Sequence, residues 1–337
     1  MQRINVFAGP YLERSSHLRS DPDWFASALI DRNSRVMPVW NSRSLIVEGA
    51  ASGALVPSAA AAGDRRTAVE AADAAAPHAA LLELAQVPEE RRNSTDLILL
   101  GRFDDANLFA YEIEGADPPP SPAGTRFEDL RTVAALMPPE QAGVLGYARA
   151  MVTWRRTHRY CGRCGAKTLP DKGGHVLVCT NPVCRHESFP RLDPAIIVLV
   201  SDGERALLGR QAAWPAGRYS TIAGFVEPGE SLEDAVAREV QEETGVRVDR
   251  IDYHSSQPWP FPSSLMLGFL AHAATHEIHL QDRELEDARW FTRADIESGV
   301  PLLPPPVSIS YRLIEHWFDA NAARPLREVQ RPPPWPR

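Results

Sequence analysis

The run from Gly224 to Val246, GFVEPGESLEDAVAREVQEETGV, constrains this chain more than any other stretch. Gly224 opens a turn containing Glu227, Pro228 and Gly229. Ser231, with Asp234 three residues on, makes a capping box, so a helix is predicted to run to about Thr244 with Gly245 as its stop. At about 100° per residue, Glu239, Glu242 and Glu243 share an arc of roughly 100° beside an apolar stripe of Leu232, Val236 and Val240. The stripe can pack on a sheet while the carboxylates face out together. Like charges at this spacing repel, so helix stability gives no reason to gather them. A bound divalent cation does, and a set of hard oxygen donors suits Mg²⁺ or Mn²⁺. Arg238, four residues before Glu242, can hold a carboxylate in place through a bidentate pair.

The full spacing is Gly224, five residues, Glu230, seven residues, then Arg238-Glu239-Val240-Gln241-Glu242-Glu243-Thr244-Gly245-Val246. It matches every fixed position of the Nudix box, and the segment resembles a Nudix hydrolase. A solvated acidic helix is the plainer reading of any charge run, but such a helix does not require this order of Gly, Glu and Arg.

At 337 residues the chain can hold two or three domains, each with its own core, and 44% hydrophobic residues place it among globular proteins. There is no apolar run of about 18 residues and no basic segment leading into an apolar one. No membrane partner is therefore expected, and the expected location is the cytoplasm. The ending Pro334-Trp335-Pro336-Arg337 is not a Ser-Lys-Leu type address. The net charge of −8 disfavours strong non-specific binding to nucleic acid. Only Lys167 and Lys172 are lysines, so an arginine here is weak evidence of phosphate recognition.

Along the chain, a helix is expected over Pro22 to Ile30 and strands over Val36 to Trp40 and Leu45 to Val47. Alanine, with Gly, Ser and Pro, dominates from about 49 to 80, which reads as a surface insertion without chemistry. Strands at Leu97 to Phe103 and Leu108 to Ile113 suggest a hairpin through Asp104 to Asn107. Pro118-Pro119-Pro120 is a stiff spacer, and a helix begins near Pro139 and continues through Trp154. Past the cysteines, strands are expected at Pro194 to Val200, Ala206 to Gly209, Tyr219 to Ala223, Leu265 to His272, Glu277 to Leu280 and Ala288 to Phe291. A helix over Ser308 to Phe318 closes the domain. The divisions expected are a mixed α/β domain (1–150), a zinc ribbon (155–190), a Nudix domain (191–320) and a flexible proline-rich tail (321–337). The fold class is α+β overall, and strands around the box helix fit the α/β/α sandwich that the box implies.

The four cysteines of the chain are Cys161 and Cys164, two residues apart, then Cys179 and Cys184, four apart, with fourteen residues between the pairs. That is zinc-ribbon spacing, and four thiolates close a tetrahedral shell around one structural Zn²⁺. Two disulfides are the alternative, which a reducing cytoplasm disfavours. The wider second gap makes Cys184 the weakest member of the set.

Eleven residues past Val246 lies Gln257-Pro258-Trp259-Pro260-Phe261-Pro262-Ser263-Ser264, preceded by Ser256. On the residues alone two readings stand. Alternating prolines hold the segment extended and splay Trp259 and Phe261 as rigid faces that stack on bases, or an edge loop buries both aromatics in the core. The run from Ser256 to Pro262, after a zinc ribbon and a Nudix box, is similar to the signature of NADH pyrophosphatases, which are also NAD-cap hydrolases of RNA. The resemblance spans about half the chain, roughly Arg155 to Leu313, and three independent motifs in order make it specific.

That resemblance implies the following roles. Glu239, Glu242 and Glu243 bind two or three Mg²⁺ or Mn²⁺ ions, with the backbone carbonyl of Ala223 and the side chain of Glu284 as further ligands. Substrate contacts fall at Phe225, at Gln257 to Ser264 and at Glu284. Phe189 stands where some members have Tyr, and Ser310 where a small residue lines the nucleotide site. Glu243 or Glu239 accepts the proton from the attacking water, with Glu284 as a second candidate base. The expected reaction is hydrolysis of NAD(H) to AMP and NMN(H), with removal of NAD caps from RNA, by a homodimer. The competing readings are a Nudix hydrolase for ADP-ribose or another nucleoside diphosphate derivative, and a non-catalytic NAD or RNA sensor. The complete carboxylate set argues against the sensor.

Overall fold

The computed structural model describes residues 5–47, 76–280 and 284–330. The alanine-rich stretch up to residue 75, Asp282, Arg283 and the final seven residues lie outside the described residues. Two compact units emerge, one of Phe7–Arg191 with Pro260–Pro262, the other of Met1–Val6, Leu192–Trp259 and Ser263–Arg337. No described helix is long and apolar enough to cross a membrane.

The first unit opens with helix α1 (Pro22–Ile30), capped by the Asp21 carboxylate, which accepts from the Asp23 and Trp24 N–H groups. Its sheet comprises β1 (Arg35–Trp40), β2 (Arg43–Val47), β3 (His78–Ala79), β4 (Leu82–Glu83), β5 (Leu97–Phe103), β6 (Ala106–Ile113) and β7 (Thr125–Glu128). The order is β3-β2-β1-β6-β5, with β1 and β6 parallel at the centre. The expected hairpin is present with a tighter turn: Asp104 and Asp105 alone carry positive φ (47° and 60°), while Ala106 and Asn107 already pair in β6. A short helix α2 (Leu130–Val133) precedes α3 (Pro139–Thr157). Helix α1 buries Phe25 and Ala28 against Val36, Leu97, Leu99 and Phe109. α3 also packs on strands of this sheet and buries Ala142, Leu145, Ala148, Met151 and Val152.

The ribbon in the same unit is a three-stranded sheet of β8 (Thr168–Asp171), β9 (Val176–Cys179) and β10 (Glu187–Ser188), ordered β10-β9-β8. It rests on β5, where His175 donates from Nε2 to the Leu99 carbonyl at 2.7 Å. Gly174, with φ of 85°, lies so close to Ile98 that a Cβ would meet its backbone at 3.3 Å.

The second unit is built on β11 (Asp193–Ser201), β12 (Arg205–Arg210), β13 (Ile222–Phe225), β14 (Val248–Trp259), β15 (Ser264–Ala273) and β16 (Asp287–Thr292). The order is β14-β15-β11-β12-β16, with β13 paired to β11 and β11 parallel to β15. Helix α4 (Leu232–Thr244) is the box helix; α5 (Arg293–Glu297), α6 (Ile309–Asp319) and α7 (Leu326–Val329) complete the unit. Ile196, Val198 and Val200 face Ala235, Val236 and Val240 of α4, whereas Ile197 and Leu199 face Ile314, Trp317 and Phe318 of α6. A strand buried on both faces must be apolar at every position, which is why β11 reads as an unbroken run. The α/β/α sandwich expected from the box is present.

Three expectations need correction. Tyr219 to Ala223 is not the strand before the box. Tyr219 instead packs edge-on to Phe291, with ring centroids 4.9 Å apart, and pairing with β11 begins at Ile222. Glu277 to Leu280 forms no strand, because the His279 N–H donates to the Thr244 carbonyl at 2.9 Å and so caps the C-terminus of α4. Residues from 321 do not start a tail: α7 follows, and Leu326 is fully buried with its N–H on Asp319.

Candidate active site and metal centre

α4 begins as its sequence dictates. The Ser231 hydroxyl accepts from the Asp234 N–H at 3.1 Å and the Asp234 carboxylate accepts from the Ser231 N–H at 3.2 Å; Gly245 closes the helix at φ 72°. The turn before it is fixed by the Glu230 carboxylate, which accepts from the Glu227 N–H at 3.0 Å.

Arg238 is the hub of the site. Its Nη2 donates to Glu230 Oε2 at 2.9 Å and to the Phe225 carbonyl at 3.0 Å, and its Nε donates to the other Glu230 oxygen. Its Nη1 donates to Glu239 at 2.9 Å and to Glu242 at 3.0 Å. The bidentate pair expected of Arg238 therefore exists, but its partner is Glu230, eight residues back. Glu230 is fixed in the spacing, yet nothing in a linear reading distinguishes its role. The guanidinium holds the Glu230 carboxyl down at about 2, with the Glu227 N–H adding to the effect.

Glu239 and Glu243 are buried, 8% and 4% exposed, whereas Glu242 is exposed. The three carboxylates thus do not simply face out together. Burial raises the Glu239 pKa against the lowering pull of Arg238, and the charges of Glu242 and Glu284 raise it further. Glu284, exposed, is therefore part of the same electrostatic neighbourhood. Gly224 is a glycine for a steric reason: a Cβ there would lie 1.9 Å from the Glu239 carboxyl carbon. Ala223, paired to Ile197, is exposed on β13, and Phe225 beside it is 60% exposed.

The remaining expected contacts divide. Pro258 and Trp259 lie in β14, with Trp259 half-buried; proline is tolerated there because β14 is an edge strand. Pro260 to Ser263 form the tip of the β14–β15 hairpin, and Trp259 pairs with Ser264. Phe261 is 9% exposed, so of the two readings of the proline run its ring follows the core reading. Pro260 is buried and Pro262 exposed, and Ser263 donates to Asp193 at 2.7 Å. Gln257 is fully buried; it donates to the carbonyls of Val307 and Val6 and accepts from the Ile309 N–H at 2.8 Å, which anchors the start of α6. Ser310, 1% exposed, accepts from the N–H and hydroxyl of Thr221 and bonds Ser220 at 2.8 Å. Both side chains act as struts. In the other unit Phe189 is 62% exposed.

The four cysteine sulfurs all lie within 4.8 Å of one another. Cys161 and Cys184 are 3.9 Å apart and Cys164 and Cys179 3.4 Å, beyond the roughly 2.05 Å of a disulfide and close to the ~3.8 Å edge of a tetrahedron with zinc–sulfur bonds near 2.3 Å. The donor set fits Zn²⁺, with Cys184 included. Among the described residues this is the one group of three or more Cys, His, Asp or Glu that converges on a metal position. The box glutamates offer the hard oxygen donors that Mg²⁺ or Mn²⁺ prefers; Arg238 Nη1 bridges Glu239 and Glu242, and among the described residues the carboxylates do not converge into a closed cage, as suits ions shared with substrate oxygens.

Residues 191–318 match the NUDIX domain, 33–154 the NADH pyrophosphatase-like rudimentary NUDIX domain and 156–189 the NADH pyrophosphatase zinc ribbon domain. The chain is 43% identical to the NAD-capped RNA hydrolase NudC of Stutzerimonas stutzeri over 226 residues, 67% of this chain and 79% of that one. It is 43% identical to the NAD-capped RNA hydrolase NUDT12 of Macaca fascicularis over 197 residues, 54% of this chain and 43% of that one. Nudix hydrolase 19, chloroplastic, of Arabidopsis thaliana is 42% identical over 256 residues, 71% of this chain and 57% of that one. The chain thus spans about half the length of the macaque and Arabidopsis relatives.

Proposed function

Since the chain belongs to the NUDIX hydrolases that carry an NADH pyrophosphatase zinc ribbon, we propose that it hydrolyses the pyrophosphate of NAD(H) to AMP and NMN(H) and removes NAD caps from RNA. The observation that carries the reading is the Glu239 carboxylate seated against Gly224 and tied through Arg238 to Glu230 and Glu242. Relatives named as NAD-capped RNA hydrolases support the substrate class.

In this reading Glu239, Glu242 and Glu243, with the Ala223 carbonyl, hold Mg²⁺ or Mn²⁺. When bound, the ions offset the charge that builds on the pyrophosphate oxygens and make water a better nucleophile near neutral pH. The protein's own share is positional. Arg238 fixes Glu239 and Glu242 relative to β13, because one guanidinium bonds both carboxylates and the Phe225 carbonyl. Glu243 accepts the proton of the attacking water; Glu239, whose pKa burial raises, and Glu284 are the other bases the site offers. Phe225, exposed beside the box, and Trp259, at the end of β14, supply stacking surfaces for the base. Gln257 and Ser310 act by holding α6 and the strand before the box. One structural Zn²⁺ in the ribbon, a homodimer and a cytoplasmic location complete the reading.

The test compares kcat/KM for NADH, ADP-ribose and a short NAD-capped RNA with Mg²⁺ present. The proposal expects NADH or the capped RNA to exceed ADP-ribose by at least about tenfold, that is about 1.4 kcal/mol of differential transition-state binding. Preference for ADP-ribose contradicts it.

A further inference from the structure

The α3 helix presents Gly143, Gly146 and Arg149 at intervals of three residues, on one face. Glycine is a poor interior helix residue, and its reason at Gly146 is closeness: a Cβ there would stand 2.9 Å from the Phe7 ring and 3.5 Å from Pro260. The hairpin tip that carries Phe261 is thus seated directly on α3. One turn on, the Arg149 guanidinium carbon lies 4.6 Å from the centre of the Phe261 ring, and that of Arg131 lies 4.5 Å from it. Phe7 meets the same ring edge-on at 5.8 Å.

Arg149 is an expensive residue to bury. It is 7% exposed; its Nε donates to the Ser42 carbonyl at 2.9 Å, and its Nη1 is buried without a hydrogen-bond partner among the described residues. A desolvated cation with an unanswered N–H is retained where something else compensates, and a ring face is such a compensation. Asp129, 3.7 Å from Arg131, offsets part of the paired positive charge.

We propose that Arg149 and Arg131 are positioning residues for the NAD(H) reaction: by gripping the Phe261 ring they fix the tip of the hairpin, and so hold the adjoining Trp259 in the orientation that receives the base. Neither touches substrate. The inference rests on the function proposed above.

The test uses the full-length, zinc-loaded enzyme. Arg149→Met keeps the aliphatic length and removes the charge; the expected result is KM for NADH raised about tenfold with kcat within about twofold, since a desolvated cation–π contact is worth about one decade. Arg149→Lys restores a cation and is expected to recover most of that loss. Arg131→Met, at a side chain 41% exposed, is expected to fold as the wild type does and to raise KM by a smaller factor. Combining Arg149→Met with Phe261→Leu should give no more than the larger single effect. Additive effects, or an unchanged KM in both methionine variants, overturn the proposal. Amide hydrogen exchange across residues 257–264 provides a readout without substrate: both methionine variants should exchange faster there, and unchanged exchange overturns the clamp even if wild-type protein does not hydrolyse NADH. Wild-type protein inert towards NADH, with the exchange response intact, removes the functional reading instead.

Discussion

At the scale of single residues, the box is a set of answers to local problems. Gly224 exists because the Glu239 carboxylate occupies the space its side chain would fill. Gly224→Ala should therefore lower kcat by a factor on the order of 10², since misplacing a reacting group by about 1 Å costs that much, while far-ultraviolet dichroism stays unchanged. Retained turnover would show that Glu239 is free to move. Glu230 acts through Arg238, so Glu230→Gln, which weakens the fork without removing its shape, should cost roughly ten- to a hundredfold in kcat/KM with little change in helix content. An unaltered kcat/KM would assign Arg238 no role in holding the carboxylates. Glu243→Gln should cost at least about a hundredfold in kcat, the usual contribution of a general base.

At the scale of elements, the helix and its caps were legible in the sequence because they are local. A Ser–Asp pair three residues apart and a glycine after the last turn specify α4 without knowledge of what surrounds it. What escaped was set by partners distant in sequence. His279 leaves the strand expected at 277–280 to cap α4, and Tyr219 leaves the expected strand to pack on Phe291. Gln257 and Ser310, polar and inside a motif, read as contacts for a ligand, yet each has its hydrogen bonds taken up within the fold. Phe261 could be placed on a surface or in a core with equal right until its partners Arg131, Arg149 and Phe7 were known.

The ribbon gives two predictions at this scale. Its four thiols should resist a thiol reagent until a strong chelator is added, after which four per chain react; prompt reaction of all four in untreated protein would contradict a bound zinc. His175, against β5, titrates at about 4, because burial opposes its charged form more strongly than its bond to the Leu99 carbonyl supports it. The unfolded chain, with an ordinary pKa near 6.5, takes the proton first, so stability is full above about pH 6.5 and declines towards pH 4. Urea unfolding at pH 7.5 and 4.5 should show His175→Gln losing less stability than wild type across that interval, by up to roughly 3 kcal/mol. Equal losses would place the histidine's charge outside the folding balance.

At the scale of the whole molecule, the chain repeats one plan. Each unit centres a parallel strand pair, β1 with β6 and β11 with β15, in an otherwise largely antiparallel sheet with helices packed on it. The sequence showed only mixed α/β character in residues 1–150, because layer architecture depends on burial and not on any fixed order of residues; the box, which the first unit lacks, was the visible sign in the second. That the chain as a whole acts on a dinucleotide is tested most directly by separating the products of NADH incubated with the protein and Mg²⁺. Equal amounts of AMP and reduced nicotinamide mononucleotide, formed by wild type, absent without divalent metal and suppressed in Glu243→Gln, are expected. Intact NADH after prolonged incubation with wild type, or products from cleavage at any bond other than the pyrophosphate, would contradict the account.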